Sequence, residues 1–117
     1  MKFLLLIVNA NEDWECLSAE EQQRVVGEMN AFGDELKSSG SFVSCGGLAP
    51  GSDAKTVQLR NGDRVVVDGL ARPLTEKREL VTGFFVVDVD SKDEAVECAK
   101  KLPIIAGGVE VRHIAAE

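Results

Sequence analysis

The stretch GFFVVDVDSKDEAVECAKKLP, residues 83–103, contains a strand, a helix start and a helix end in direct succession. Its first seven residues are almost continuously apolar, as expected for a central strand that is covered on both faces. Ser91 and Glu94 have the spacing of a capping box, in which each side chain binds a backbone N–H group at the start of a helix. Pro103 ends that helix because proline has no N–H to donate. The stretch therefore predicts a central strand followed at once by a helix.

The beginning of the chain repeats this pattern. Residues 3–8, FLLLIV, form a second apolar run, and Ser18 and Glu21 again have capping-box spacing. A helix is predicted from about residue 18 to residue 39, because its apolar residues recur at intervals of three and four. These residues are Val25, Met29, Phe32 and Leu36.

Two further strands and a hairpin complete the pattern. SFVSCGGL, residues 41–48, and GGVEVRHI, residues 107–114, are strand-like, and Asn61-Gly62 lies inside TVQLRNGDRVVVD, residues 56–68. Asn-Gly between two β-rich runs predicts a tight hairpin. The order is βαββαβ, with a hairpin and a charged connector inserted at about 54–80. We therefore predict one α+β domain of ferredoxin-like architecture across residues 1–117.

The composition of the strands predicts their places in the sheet. The two apolar runs should be the central strands, whereas 41–48 and 107–114 carry more polar residues and should be edges. Two helices can cover only one face of this sheet, which leaves the second face of the central strands apolar. The inserted hairpin could cover part of this face, but a second copy of the chain is the commonest cover, so we predict a homodimer with facing sheets.

Charge and composition exclude several classes of function. The chain has 13 Lys and Arg against 20 Asp and Glu, a net charge of −7, so neither nucleic acid nor an anionic membrane is an expected partner. Its three cysteines and one histidine suggest no disulfide framework and no metal site. Neither Gly-Gly pair has the pattern of a nucleotide-binding loop, so no cofactor is expected. The apolar run at the start is shorter than the core of a signal peptide, and a cytoplasmic location is predicted.

Several ordered segments together resemble the YCII-related family, and specifically its DGPF-domain branch. These segments are LSAEE at 17–21, CGGL at 45–48, VVVDG at 65–69, EKRELVTGFF at 76–85, DVDSKDEA at 88–95 and the closing GGVEVRHI. The resemblance implies a dimeric α+β barrel with a pocket at its mouth. Leu70 and Ala71 replace the Pro-Phe of the DGPF signature. The chain also lacks the first-helix histidine that forms a suggested acid/base dyad in other members.

Asp68, Glu76 and Glu79 are candidate catalytic residues, because the resemblance places the Asp-Gly segment and the charged residues after it around the pocket. Buried neighbouring carboxylates bind protons more tightly and can act as general acids or bases near neutral pH. Between Glu76 and Glu79, Arg78 stands where the resemblance places a lysine in the family, and it is a candidate substrate-binding residue. The alternative is structural: Asp68 is a turn residue, and the other charges form a solvated helical turn.

Three residues elsewhere complete the set of candidates. His113 should share a face with Val109 and Val111, and it is a candidate acid/base residue or a packing residue. Trp14, in the loop after the first strand, is a candidate wall of a ligand pocket or a lid on the core. Arg112 is a candidate ligand for an anion or the partner of a surface acid.

Two functional hypotheses follow. The first is a protein that binds a small metabolite and performs acid/base chemistry on it. The second is a non-catalytic dimeric module for binding or protein interaction, favoured by the altered signature and the missing histidine. The fold does not choose between them.

Overall fold

The computed structural model describes residues 1–70 and 80–117. Residues 71–79, which include Glu76, Arg78 and Glu79, lie outside the described residues. The elements are β1 Lys2–Asn9, α1 Asn11–Glu15, α2 Ala19–Ser38, β2 Phe42–Gly47, a 3-10 turn Gly51–Asp53, β3 Lys55–Arg60, β4 Asp63–Asp68, β5 Leu80–Asp88, α3 Lys92–Lys101 and β6 Gly108–His113. The α+β class and the order of the main strands and helices are those predicted.

The main sheet has four strands in the order β2-β5-β1-β6, and each neighbouring pair is antiparallel. The two apolar runs are the central strands and the two more polar ones are the edges, which confirms the prediction from composition. This order and the two crossing helices are those of a ferredoxin-like sheet. Leu5 at the centre of the sheet pairs with Phe85 on one side and Val111 on the other.

The core lies between one face of this sheet and the two long helices. Phe3, Leu5 and Val87 are completely buried there. Phe32 of α2 meets Phe85 of β5 edge to face, with ring centroids 5.0 Å apart. Three of the four predicted stripe residues of α2, Val25, Phe32 and Leu36, are buried, whereas Met29 is only partly buried. Burial of these side chains is the main contribution to the stability of the fold.

Among residues 1–70 and 80–117, neither of the two long helices packs on the other face of the sheet. We call it the open sheet face, and its apolar residues are Leu4, Leu6, Val8, Phe84 and Val86. Each is partly exposed, in contrast to the buried residues that alternate with them along β1 and β5. For the described residues, the expectation that two helices leave one apolar face uncovered is confirmed.

The helices begin close to the predicted positions. Ser18 and Glu21 form both hydrogen bonds of a capping box, each 3.1 Å long. At α3, the Ser91 hydroxyl accepts from the Glu94 N–H, but the Glu94 carboxylate accepts from the N–H of Asp90 instead of Ser91. Trp14 lies in the short helix α1, where a loop was predicted.

The inserted hairpin forms a two-stranded sheet of its own, β3–β4. Asn61 and Gly62 take positive φ values of 52° and 86°, as the predicted tight turn requires. Val57, Leu59 and Val66 are 63%, 71% and 63% exposed, so these apolar side chains of the hairpin remain accessible. No helix within residues 1–70 and 80–117 combines the length and hydropathy needed to cross a membrane.

Candidate functional site

A cleft of about 850 Å³ lies between α2 and the sheet. We call it the α2 cleft. Its walls come from α2 and from β1, β2 and β5, and its ends from α1 and the segment after α3. The apolar lining includes Ile7, Met29, Phe42, Phe85 and Ile104. Partial burial of Met29 is explained by this position, because the side chain packs against the core and also lines the cleft.

The cleft is open because side chains are missing from its floor. Gly83 of β5 pairs in register with Ile7 on one side and with Gly47 of β2 on the other. Ile7 faces α2, and the register places both glycines on that same face. A Cβ at Gly47 would have no atom within 4 Å, so the space above this residue is empty. The missing side chain at Gly47 therefore leaves volume that a larger residue would fill, whereas a Cβ at Gly83 would already lie 3.4 Å from Ile7 Cδ1.

Polar groups lie at one end of the cleft, where β1 finishes. Asn9 is only 8% exposed, and its Oδ1 accepts a hydrogen bond of 2.8 Å from the Thr82 hydroxyl. Asn11 Oδ1 accepts from the Gly51 N–H at 3.1 Å, which joins α1 to the loop after β2. These contacts hold the end of the cleft in a fixed shape.

Trp14 contributes to the wall at the same end. Its backbone carbonyl accepts a hydrogen bond of 3.0 Å from Gln22 of α2, and the Asp13 carboxylate accepts from the Ala10 N–H at the start of α1. The short helix is thus attached to its neighbours, and it presents the indole ring at the cleft. The assignment of Trp14 as the wall of a ligand pocket, with a lid on the core as the alternative, stays a prediction.

The charged groups of the cleft are few. Glu15 and Asp34 carry negative charge, and Lys37 carries positive charge. The Lys37 ammonium lies 4.9 Å from the centroid of the Phe42 ring, a cation–π distance. One cation thus stands against two carboxylates in the described lining.

Asp68 lies away from the α2 cleft, at the end of β4. Its carboxylate pairs with Lys55 at 2.9 Å on the exposed surface of the hairpin, and its side chain is 89% exposed. Such a pair contributes at most about 1 kcal/mol to stability. The catalytic assignment of Asp68 stays a prediction, since Glu76 and Glu79, its proposed partners, lie outside the described residues, as does Arg78.

His113 lies at the opposite end of the sheet from Asn9. Its ring stacks against Phe3 with centroids 5.0 Å apart, and its register confirms that it shares the helix-covered face with Val109 and Val111. Phe3 and Asn9 are six residues apart on β1, which corresponds to about 20 Å. His113 therefore belongs to a different region from the α2 cleft, and its acid/base role stays a prediction.

Arg112 points to the open sheet face, opposite Leu4 in the register. Its guanidinium donates to the Glu110 carboxylate at 3.1 Å, and both side chains are exposed. This contact is a surface ion pair, and the assignment of Arg112 as a substrate-binding residue stays a prediction. Within the described part of the chain, no three His, Cys, Asp or Glu side chains are grouped as metal ligands would be.

Sequence reasoning missed Asn9 and the glycine pair of the cleft floor. Asn9 had a detectable signal, because it is the polar residue that directly follows the apolar run at 3–8, and the period of a strand places it on the same face as Phe3, Leu5 and Ile7. The glycine pair had none, since the pairing of residue 47 with residue 83 depends on the register of strands distant in sequence.

Two comparisons with known proteins place the chain in a family. The family model for the YCII-related domain matches residues 1–116. An uncharacterised protein of Rhizobium meliloti (strain 1021) is 30% identical over 118 residues, which covers 98% of this chain and 93% of that protein. The narrower DGPF assignment stays a prediction. The fold and both matches agree that this chain belongs to the YCII-related domain family.

Proposed function

We propose that the protein binds a small, mostly apolar organic molecule in the α2 cleft. The observation that carries this proposal is the cleft itself. Its volume of about 850 Å³ lies within the usual range of ligand sites, roughly 300–1,000 Å³. Apolar and aromatic walls with a few fixed polar groups are also typical of such sites. Trp14 and Phe85 supply aromatic surface, and Asn9 and Thr82 supply polar atoms.

The test fills the cleft without disturbing the fold. In Gly47→Leu the new side chain enters empty space, because no atom lies within 4 Å of the added Cβ. Gly27→Leu is the matched control, since it adds the same side chain to an exposed position of α2 with equally free surroundings. A panel of hydroxylated aromatics, lactones and organic acids would be screened by thermal shift. A compound present at 100 times its Kd should raise Tm by roughly 10 °C.

A second readout reports on the cleft directly. Cys45 lines the cleft and is exposed, so an occupant should slow its alkylation by iodoacetamide. We expect binding in the unaltered protein and in Gly27→Leu, and its loss in Gly47→Leu. Equal binding by all three proteins would refute the proposal that the ligand lies in this cleft.

The protein is also proposed to act as a homodimer whose two open sheet faces pack against each other. Five partly exposed apolar residues on one sheet face support this, because a contiguous apolar face of this kind is usually covered by another molecule. The resemblance to dimeric α+β barrels supports the same arrangement. Arg112 and Glu110 would lie at the polar rim of such an interface.

Sedimentation of two lysine variants tests the dimer. Leu6→Lys places a charge in the middle of the open sheet face, whereas Val96→Lys places one at an exposed apolar position of α3. We expect the first variant to sediment as a folded monomer and the second as a dimer. A dimeric Leu6→Lys would exclude this face as the interface.

Acid/base catalysis with Asp68 and Glu76 or Glu79 as proton carriers is a separate and finer proposal, because Asp68 does not line the α2 cleft. It is supported by the resemblance. Asp68→Asn keeps the size of the side chain and removes its proton affinity. If Asp68→Asn still binds the ligand but no longer converts it, catalysis by Asp68 is supported. If the rate of conversion is unchanged, Asp68 is excluded as a catalytic residue.

A non-catalytic interaction module is the second candidate function. The exposed apolar side chains of the hairpin, Val57, Leu59 and Val66, favour it, since accessible apolar groups on a projecting hairpin are suited to contact with another protein. Replacing all three with threonine should abolish such contacts while leaving small-molecule binding in the cleft unchanged. Loss of small-molecule binding in that variant would contradict a separate role for the hairpin.

A further inference from the structure

The buried side chain of Asn9 is unusual for its position. It occupies the last inward position of β1, where the preceding inward residues are Phe3, Leu5 and Ile7. Asparagine is disfavoured in strands, and burying its amide is costly unless its polar atoms form hydrogen bonds. It is the one polar residue among the buried residues of the described chain. A valine here would extend the core, so the amide calls for an explanation.

The hydrogen bonds of Asn9 fix the orientation of its amide. The Thr82 hydroxyl has a single proton and two acceptors in reach, the Ile7 carbonyl oxygen at 3.5 Å and Asn9 Oδ1 at 2.8 Å, and it donates to the nearer one, Asn9 Oδ1. The amide oxygen is therefore directed at β5, and Nδ2 takes the other side of the side chain. Behind it, a Cβ at Gly107 would lie 3.0 Å from the Asn9 Cβ, so the backbone closes the space on that side.

The Nδ2 group of Asn9 carries two N–H donors that Thr82 does not use. Among residues 1–70 and 80–117, Asn9 has no hydrogen bond through Nδ2. No fully enclosed side-chain nitrogen or oxygen in that part of the chain lacks a partner. Nδ2 is therefore reached by solvent, and Asn9 lines the α2 cleft. The result is a donor that is oriented in advance, on a side chain that lines the cleft.

We infer that Asn9 recognises a hydrogen-bond acceptor on the ligand, and that the ligand is a neutral, mainly apolar carbonyl compound such as a ketone, lactone or ester. This inference rests on the proposed function of the α2 cleft. A carbonyl oxygen accepts from Nδ2, while Ile7, Met29 and Phe85 contact the apolar part of the molecule. A ligand that enters the cleft displaces the water bound to Nδ2. The carbonyl oxygen of the ligand then accepts the hydrogen bond that this water had accepted.

The charges of the cleft favour a neutral ligand over a carboxylate. Glu15 and Asp34 line the cleft, and the positive charge of Lys37 lies over the Phe42 ring. The whole chain carries a net charge of −7. A carboxylate would be repelled by both carboxylates and by the net charge, whereas a neutral carbonyl group is not.

Three probes of nearly equal shape separate these possibilities. They are 2-acetylnaphthalene, 2-isopropenylnaphthalene, in which a CH₂ group replaces the carbonyl oxygen, and 2-naphthoate, which is an anion. Binding is measured as protection of Cys45 from iodoacetamide in a Cys16→Ser, Cys98→Ser background. The shift of the Asn9 side-chain NH₂ signals in the NMR spectrum is the second readout.

We expect the ketone to bind about tenfold more tightly than the alkene, with the naphthoate weakest, since one hydrogen bond to a buried partner is worth about that factor. Only the ketone should shift the Asn9 NH₂ signals as an acceptor does. In Asn9→Leu the preference for the ketone over the alkene should disappear. Thr82→Val, which frees the amide to rotate, should reduce the preference and serves if Asn9→Leu does not fold.

The outcomes distinguish this inference from the proposed function. Equal binding of ketone and alkene, both protecting Cys45, would overturn the role of Asn9 and leave the cleft as a binding site. If the naphthoate bound most tightly, the inference of a neutral ligand would be wrong and the ligand class would be an anion. If none of the probes protects Cys45, both the proposed function and the inference fail.

Discussion

Gly107→Ala is expected to destabilise the fold severely. Gly107 has a φ of 73°, in the left-handed region, where alanine costs about 1–2 kcal/mol. The added methyl group would also overlap the carbonyl oxygen of Val8 and lie 3.0 Å from the Asn9 Cβ. Relief of this overlap requires the end of β1 to move, and overpacking of this kind costs about 1–3 kcal/mol. The sum is roughly 2–5 kcal/mol.

Thermal denaturation followed by circular dichroism measures this loss. At about 2.1 cal/mol/K per residue, the unfolding entropy of 117 residues is about 0.25 kcal/mol/K, so each kcal/mol lowers Tm by about 4 °C. We therefore expect Tm to fall by roughly 8–20 °C.

Two matched variants separate backbone strain from steric overlap. Gly40 has a φ of 77° and no atom within 4 Å of an added Cβ, so Gly40→Ala reports the strain alone, a loss of about 4–8 °C. Gly108 has equally free surroundings and its φ lies outside the left-handed region, so Gly108→Ala should change Tm little. If Gly107→Ala lost no more stability than Gly40→Ala, the close approach of Gly107 to Val8 would be refuted.

Three further predictions concern the core, a helix start and a buried thiol. Leu5→Ala should lower the free energy of unfolding by about 2–5 kcal/mol in a urea titration, because Leu5 is fully buried. Leu59→Ala on the exposed hairpin should change it by no more than about 0.5 kcal/mol, and equal losses would contradict the assignment of the core. The pKa of Glu21 is lowered, first by the backbone N–H and then by the hydroxyl of Ser18. The ionised Glu21 side chain therefore stabilises the fold above the ordinary glutamate pKa, and this contribution is lost as the pH falls through the lowered pKa. Glu21→Gln should flatten the dependence of stability on pH between these two pKa values. Burial raises the pKa of the Cys98 thiol, so iodoacetamide at pH 8 should alkylate Cys98 more slowly than the two exposed cysteines, and equal rates measured by mass spectrometry would show that the thiol is not buried.

The sequence determined the elements whose causes are local. Apolar runs and their periodicity located the central strands and the buried stripe of α2, because burial follows the repeat of the helix or strand. Ser18 with Glu21 and Asn61 with Gly62 located a helix start and a hairpin turn, since a cap and a positive φ depend on a few neighbouring residues. The uncovered apolar sheet face also followed from the sequence, because two helices cannot cover both faces.

Tertiary structure decided where the polar groups lie. Asp68 attracted attention as a carboxylate beside a glycine, but the register of the hairpin places it next to Lys55 on the surface. The cleft depends on the pairing of Gly47 with Gly83, two residues 36 positions apart, and on the distance of α2 from them. Asn9 became a directed donor only when β5 brought Thr82 to its oxygen. A single sequence carries no direct record of such contacts, because they are set by the packing of elements that are distant along the chain.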